Sequence, residues 1–404
     1  MSTSIRLSHA AAVPQPAASA PGDIAAHKKR ITSIDALRGF VMIVMMLDHV
    51  REHLYLHLNV TDPMTVPGTP NDLYFSRLAA HFCAPVFVFL TGLSAWLYAN
   101  PPSGAPRNVR EFLLKRGLLL IALELTVVNF AWQGKYEVIY LQVMWAIGFS
   151  MVVLAFLSGL PRWLLATLGL VIVCGHNAVG GHVVAADSPW YPLWTLMLHR
   201  GWLVAEGVVK VKLSYPALPW VGVILLGYTF APLFSSAVDA LKRRRTLVIT
   251  GLACWAVLLV LRGFNIYGEN TPWTPQATTL ETVKVWLNFT KYPPSLDFLL
   301  MTLGGGLLML AALEFADNGF TRVCTTFGSA PMFYYIVHLY VLMVSYRIAF
   351  AVAGPNQGTR FGVDADSFWI VWVVWLAVTA LLYWPVKAYG DFKRRTSIGW
   401  VKYF

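Results

Sequence analysis

Continuous apolar blocks constrain the fold of this chain more than any other feature of its sequence. Each block holds about 18–22 residues, which as a helix is enough to cross a hydrocarbon core of roughly 30 Å. Only 13% of the 404 residues are charged, whereas soluble domains carry about 25%. The low charge and the apolar blocks exclude a soluble enzyme and a disordered chain. A transmembrane β-barrel is excluded because the blocks are continuously apolar rather than alternating. The sequence therefore predicts an all-α, polytopic transmembrane helix bundle.

The positions of Lys and Arg predict the orientation of this bundle. Basic clusters such as 28–30, 107–116 and 242–245 fall in alternate turns, and the positive-inside rule places such turns in the cytosol. Both termini are then cytosolic, and the net charge of +11 has an explanation without nucleic acid as a partner. We predict about ten spans, which lie at 34–56, 80–98, 113–131, 138–158, 162–179, 217–235, 246–263, 296–314, 331–350 and 368–387.

Three regions follow one another along the chain: a disordered cytosolic tail at 1–30, a transmembrane domain at 31–390 and a basic cytosolic tail at 391–404. The apolar stretch 189–203 indicates an interfacial or re-entrant helix. The long segments that face outward in this scheme are rich in Trp and Tyr. Their rings suit stacking on sugars, and the aromatic belt of an ordinary membrane protein is the alternative.

The first block carries the densest set of ionisable side chains. Such a group costs roughly 2.5–3.5 kcal/mol at the centre of a span, so it indicates function. His49 follows Arg38 by 11 residues, which places it about 16 Å deeper along a helix. A neutral imidazole at that depth can accept a proton, with a histidine bonded between helices as the alternative. Asp48 is taken with His49 as a catalytic candidate, although it lies about 100° away around the helix and can instead pair with another helix.

Other polar side chains in or beside the blocks are candidates for contacting a polar ligand in a cavity, and helix packing is the alternative for each. They are His53, His57, His81, Glu124, Gln142, Lys291, Tyr292 and His338. For Lys291, neutralisation by Asp297 is a further alternative. His49, His53 and His57 recur every four residues, but no other ligand has matching spacing and the cysteines form no close pair. We therefore predict no metal site and no disulfide framework.

Basic residues at the cytosolic end of the third block are candidates for binding a donor substrate. Arg110, Lys115 and Arg116 open this block and come near Arg38 if the first three spans pack together. A basic rim beside a polar pit attracts a multiply phosphorylated molecule. Simple anchoring of the helix by the positive-inside rule is the alternative.

Several segments, taken in order over about 31–390, resemble the heparan-α-glucosaminide N-acetyltransferase-like family of bacterial membrane proteins. The segments that carry the resemblance are SIDALRGF at 33–40, LDHVR at 47–51, PVFVFLTGLS at 85–94, LQVMWAIG at 141–148, the stretch 215–228, TKYPPS at 290–295 and FYYIVH at 333–338. No single segment is decisive, and their combination is specific.

The resemblance implies a transmembrane acyltransferase in the bacterial inner (cytoplasmic) membrane. Such enzymes take acetyl from cytosolic acetyl-CoA and place it on a sugar across the membrane. In related O-acyltransferases a histidine follows the Leu-Arg pair by the spacing found here, which implies a catalytic His49. In the lysosomal heparan enzyme the proposed histidine lies closer to the place of His57, so both histidines, and both an amine and a hydroxyl acceptor, stay open.

The sequence thus predicts an enzyme that uses acetyl-CoA as donor substrate, without a metal. Arg38, Arg110, Lys115, Arg116 and His338 are the predicted donor-binding residues. The partners are acetyl-CoA, a sugar or glycan acceptor and membrane lipid, and a homodimer is left open. The alternative is a small-solute transporter in which Asp48, His49, Glu124 and His338 form an intramembrane relay. A non-catalytic scaffold is disfavoured by the number of polar groups inside the apolar blocks.

Overall fold

The computed structural model describes residues 32–55, 63–66 and 68–404, most of them helical. The predicted tail at 1–30 and the candidate His57 lie outside these residues. The α-helices are α1 (Thr32–Leu54), α2 (Asn71–Ala80), α3 (Cys83–Ala99), α4 (Val109–Leu123), α5 (Asn129–Gln133), α6 (Val143–Leu157), α7 (Arg162–Gly180), α8 (Tyr191–Leu198), α9 (Leu218–Phe230), α10 (Ala240–Gly263), α11 (Thr279–Leu287), α12 (Leu296–Leu313), α13 (Gly319–Ser329), α14 (Pro331–Ala353) and α15 (Trp369–Arg395). A helix overlaps each of the ten predicted blocks.

Six helical stretches among the described residues are long and apolar enough to cross a membrane. They are Asn71–Ala99, Arg162–Gly180, Ala240–Gly263, Leu296–Leu313, Pro331–Ala353 and Trp369–Arg395. Two shorter apolar helices, Val143–Leu157 and Leu218–Phe234, accompany them. The count of about ten spans and the cytosolic termini stay predictions.

A small sheet corrects the all-α prediction. Its strands are β1 (Val138–Leu141), β2 (Gly201–Val204) and β3 (Lys210–Leu213), in the order β1-β3-β2. β1 and β3 are parallel, and β2 is antiparallel to β3. The fourth predicted span therefore does not start at 138, because residues 138–141 hydrogen-bond to β3 and the helix begins at Val143. Hydropathy alone does not separate a short apolar strand from the start of a helix.

α1 is the central element of the bundle and packs against α2, α3, α12, α13, α14 and α15. Its contact with α13, an element absent from our predicted spans, depends on two glycines. A Cβ on Gly39 would lie 1.7 Å from the Cys324 carbonyl oxygen, and one on Gly328 would lie 1.9 Å from the Asp35 carbonyl oxygen. The backbones touch, as in the small-residue contacts typical of membrane helices. This contact holds the Arg38 turn of α1 in place, since Arg38 Nη1 also donates to the Gly328 carbonyl oxygen at 3.3 Å.

Candidate active site

A cavity of about 330 Å³ runs along α1 and brings residues from distant parts of the chain together. Arg38 and Arg116 line it at one end, named here the Arg38 end, and His49 lines it further along. The Tyr292 end is lined by Gln142, Arg200, Ser214, Tyr215, Lys291 and Tyr292. A second cavity of about 750 Å³ shares Arg38, Thr91, Arg116, Met151 and Pro331 with the first. The two cavities thus adjoin at the Arg38 end.

His49 is held by a chain of hydrogen bonds that determines its tautomer. His338 Nδ1 lies 2.8 Å from the Tyr334 carbonyl oxygen, which can only accept, so this nitrogen carries the proton. In a neutral ring His338 Nε2 then carries a lone pair and accepts. It lies 2.7 Å from His49 Nδ1, which therefore donates. The proton of a neutral His49 is therefore on Nδ1. Its Nε2 is left as a free base on a half-buried ring that lines the cavity.

Aromatic rings fix the plane of the His49 imidazole. His338 lies nearly coplanar with it, with centroids 5.0 Å apart and an interplanar angle of 10°, as the in-plane hydrogen bond between the two rings requires. Trp132 packs edge-on at 5.0 Å and Tyr335 edge-on at 6.1 Å. A ring held on three sides loses little freedom when a ligand arrives, which is the preorganisation that catalytic groups need.

Asp48 belongs to a separate ion-pair cluster. Its Oδ1 accepts from Arg51 Nε at 2.8 Å, and its Oδ2 accepts from Arg77 of α2. Glu52 accepts from Arg51 Nη2 at 3.0 Å and lines the cavity. Two carboxylates and two guanidinium groups thus neutralise one another, which lowers the cost of burying them. Asp48 makes no hydrogen bond to the His49 ring in this arrangement, in keeping with their separation around α1.

The Arg38 end carries two guanidinium groups in different states. Arg38 bonds Asp35 Oδ1 at 2.6 Å and Ser94 Oγ at 2.9 Å, so α1 and α3 hold it rigidly. Arg116 of α4 makes no ion pair with the described residues, and its buried Nε has no hydrogen-bond partner among them. Arg116 lines both cavities, and a guanidinium without a carboxylate partner can bind an anion such as phosphate.

The Tyr292 end is formed where the two parallel strands stop. Gln142 follows β1, and Ser214 and Tyr215 follow β3. Because β1 and β3 are parallel, their carboxyl ends meet at one edge of the sheet, which brings these three residues together. Ser214 N donates to the Leu141 carbonyl oxygen at 3.0 Å, which joins these segments. The Tyr215 and Tyr292 hydroxyls lie 3.1 Å apart. Burial and the Tyr292 phenol hold the pKa of Tyr215 well above its usual value, so this hydroxyl stays neutral.

The family model described as heparan-alpha-glucosaminide N-acetyltransferase, catalytic, matches residues 30–267. The chain belongs to this family. The match takes in α1 with Arg38 and His49, α4 with Arg116, and the whole sheet. A search of curated proteins gives no match. Family membership and the apolar helices together make the chain a multi-pass membrane protein of an acetyltransferase family.

Not every predicted site residue of this acetyltransferase-family chain reaches the cavity. Arg110 and Lys115 are exposed, and Lys115 pairs with Glu111 at 2.5 Å. They line neither cavity. Arg116 lines both cavities. It lies one position after Lys115 and six after Arg110, so it points about 100° and 240° away from them around the helix. His338, predicted to bind the donor, lies fully buried behind His49 and supports its ring instead.

Three residues that were predicted to contact the substrate instead cap a helix or pack between helices. Glu124 Oε2 accepts from the backbone N–H groups of Met144 and Trp145 at 2.9 and 3.2 Å, so it caps the start of α6. His53 Nδ1 donates to the His49 carbonyl oxygen at 2.8 Å, and its ring stacks on Trp132. His81 is fully buried beside Phe298. None of the three lines the cavity.

Both carboxylate oxygens of Asp297 are buried without a hydrogen-bond partner among the described residues, so Lys291 and Asp297 do not neutralise each other. Gln142, Lys291 and Tyr292 all line the cavity. Among the described residues, which exclude His57, no three His, Cys, Asp or Glu side chains are grouped as a metal site requires.

The cavity lining includes residues that were not predicted as site residues, among them Glu52, Arg77, Arg200 and Tyr215. Glu52 and Arg200 were readable as charges next to apolar segments, the signal that singled out His49. Arg77 sits in the short helix α2, outside the predicted spans, and no local pattern distinguishes it from a surface arginine.

Proposed function

We propose that this membrane acetyltransferase moves an acetyl group from cytosolic acetyl-CoA to an amine or hydroxyl of a sugar at the opposite face of the membrane. One observation carries the proposal: His49, whose Nε2 has no hydrogen-bond partner among the described residues, lines a cavity that has a cationic Arg38 end and an aromatic Tyr292 end. A base between an anion-binding end and a sugar-stacking end suits the joining of two substrates that arrive from opposite sides.

The donor enters at the Arg38 end in this scheme. The larger cavity is lined there by Arg38, Arg116 and Lys393, three cations that suit the phosphates of coenzyme A. The pantetheine arm extends along the apolar stretch lined by Met42, Met45 and Met151. Its thioester then comes level with His49, about 16 Å from Arg38 along the helix.

The transfer itself is written with His49 as general base. His49 Nε2 takes the proton from the acceptor N–H or O–H as that atom attacks the thioester carbonyl carbon. The new C–N or C–O bond forms, and the C–S bond breaks as the tetrahedral intermediate collapses. The proton on Nε2 passes to the leaving thiolate, which restores the neutral ring. In the alternative route Nε2 attacks the thioester first, and an acetyl-histidine then transfers to the acceptor.

The topology is part of the proposal. About ten spans, as in the predicted topology, with both termini in the cytosol place the Arg38 end on the cytosolic side. The transmembrane domain then extends over 31–390, between cytosolic tails at 1–30 and 391–404. A bacterial inner membrane is the matching location.

The decisive experiment supplies purified protein in proteoliposomes with radiolabelled acetyl-CoA outside or inside and amino sugars on the other side. Labelled acetyl sugar formed across the bilayer supports the proposal. Sugar uptake that needs no acetyl-CoA, with no acetylated product, supports the transporter alternative instead. The proposed relay is not continuous in the structure, since Glu124 is used to cap α6.

Arg116→Met is expected to raise the KM for acetyl-CoA about 10- to 100-fold, because charge-assisted hydrogen bonds contribute roughly 1.5–3 kcal/mol. The kcat changes little, since the guanidinium is remote from the reacting atoms. Steady-state kinetics at saturating acceptor measures both constants. Arg110→Met on the same helix is the matched control, because Arg110 lines neither cavity. Equal KM values for the two variants would contradict phosphate binding by Arg116.

His338→Phe removes the acceptor for His49 Nδ1 and is expected to lower kcat about 10- to 100-fold, the loss typical when a metal-binding histidine loses its orienting partner. The KM for acetyl-CoA stays near the wild-type value. His338→Gln, which keeps an acceptor oxygen at that place, recovers much of the loss. If His338→Gln and His338→Phe are equally impaired, His338 serves packing and not the tautomer of His49.

A further inference from the structure

We infer that the Tyr292 end of the cavity binds an anionic group, a carboxylate, sulfate or phosphate, that the acceptor sugar itself carries. The inference rests on the proposed acyl transfer and narrows the class of acceptor. It starts from two cations at this end, Lys291 and Arg200, which have no anionic partner among the described residues.

The burial of Lys291 without an anionic partner among the described residues is the stronger of the two observations. Its residue is 7% exposed, and it lines the cavity. Its ammonium makes no ion pair and no side-chain hydrogen bond with the described residues, and it lies 5.3 Å from the centroid of the Tyr292 ring. Lysines are almost never this buried unless they are paired. A ligand anion supplies the missing partner.

Arg200 approaches the same ring from the segment between α8 and β2. Its Cζ lies 4.8 Å from the Tyr292 centroid, and the half-buried guanidinium has no ion pair in the described chain. A guanidinium that stacks on an aromatic face keeps its edge N–H donors free for a bidentate anion. Both cations thus lie at the Tyr292 ring. A sugar can stack on aromatic rings at this end while the two cations bind an anionic group that it carries.

The nearby acids do not neutralise these cations. Lys291 is within electrostatic reach of Asp48 and Glu52, but both carboxylates bond Arg51, and Asp48 also bonds Arg77. Both acids are thus already paired with guanidinium groups. The Tyr292 end therefore keeps two positive charges in excess inside a largely buried space, which favours an anion.

The position of this excess assigns the anion to the acceptor and not to the donor. The cations proposed for the coenzyme A phosphates line the Arg38 end. Lys291 and Arg200 line the same cavity as His49. An anion bound by Lys291 therefore shares the chamber with the group that loses its proton to His49.

The test compares acceptors with wild-type protein in nanodiscs and labelled acetyl-CoA. The amine series is glucosamine, glucosamine 6-phosphate, glucosamine 6-sulfate and muramic acid, and the hydroxyl pair is glucose and glucuronic acid. We expect kcat/KM to be at least 10-fold higher for an anionic member than for its neutral parent, and the best member identifies the anion. Equal values for neutral and anionic acceptors overturn the inference and leave the proposed function standing. No transfer to any sugar counts against the proposed function itself.

Lys291→Met is expected to lower the anionic-to-neutral ratio of kcat/KM about 10-fold or more, whereas Lys291→Arg keeps most of it. Lys210→Met, at an exposed position in β3, is the matched control and keeps the wild-type ratio. Arg200→Gln provides a second reading if Lys291→Met fails to fold, as judged by its melting curve. An unchanged ratio in folded Lys291→Met or Arg200→Gln overturns the inference.

Discussion

His49→Ala is expected to reduce acetyl transfer about 10²- to 10⁴-fold, the range that a positioned general base contributes. The physical reason is the free Nε2, which the bond from Nδ1 to His338 leaves as the basic nitrogen on the cavity. Alanine removes this base and leaves both substrate-binding ends in place. The measurement is initial rate at saturating acetyl-CoA, together with the melting temperature to verify folding.

His182→Ala is the control for this variant, because His182 is exposed and lies outside the cavity lining. It is expected to retain wild-type turnover. Turnover of His49→Ala equal to that of the wild type would end the role of His49 as a base. If His57→Ala alone loses activity, the base is His57, the other histidine that the family resemblance leaves open.

Gly39→Leu is expected to prevent accumulation of folded protein. A Cβ at this position falls 1.7 Å from the Cys324 carbonyl oxygen and 2.8 Å from the Gly328 nitrogen. Both are backbone atoms, so α1 and α13 must separate, and the cost exceeds the roughly 1–3 kcal/mol of ordinary overpacking. Against a total stability of about 5–15 kcal/mol, such a loss leaves little folded protein.

Gly319→Leu provides the matched control, since a Cβ on Gly319, at the start of the same helix α13, meets nothing within 4 Å. Size-exclusion chromatography of detergent extracts measures the monodisperse yield of each variant, and thermal unfolding measures its stability. Wild-type yield and melting temperature for Gly39→Leu would mean that α1 and α13 do not approach as closely as described.

The helical part of the fold was largely predictable from the sequence, because long apolar blocks have few structures open to them. A helix overlaps each predicted block, and the first of them, α1, carries both Arg38 and His49. Errors occurred where an element is short. β1 was included in the fourth span, and α13 was not assigned, because neither is long enough to give a hydropathy signal of its own.

The candidate site was only partly predictable. Arg38, Arg116, His49 and Gln142 line the cavity, whereas Arg110, Lys115, Glu124 and His53 do not. A polar residue in an apolar block signals that it needs a partner, but the partner is chosen by packing. Glu124 caps the start of α6, and Asp48 pairs with Arg77 of α2.

The sequence by itself determined the class of fold, the family and the depth of His49 along its helix, since each depends on the order and spacing of residues. Only the tertiary structure decided which nitrogen of His49 is basic, because that depends on His338, which lies 289 positions away in the chain. It likewise decided that Lys291 and Arg200 share one end of a cavity. Contacts between remote segments arise from packing geometry, and local sequence patterns carry no record of them.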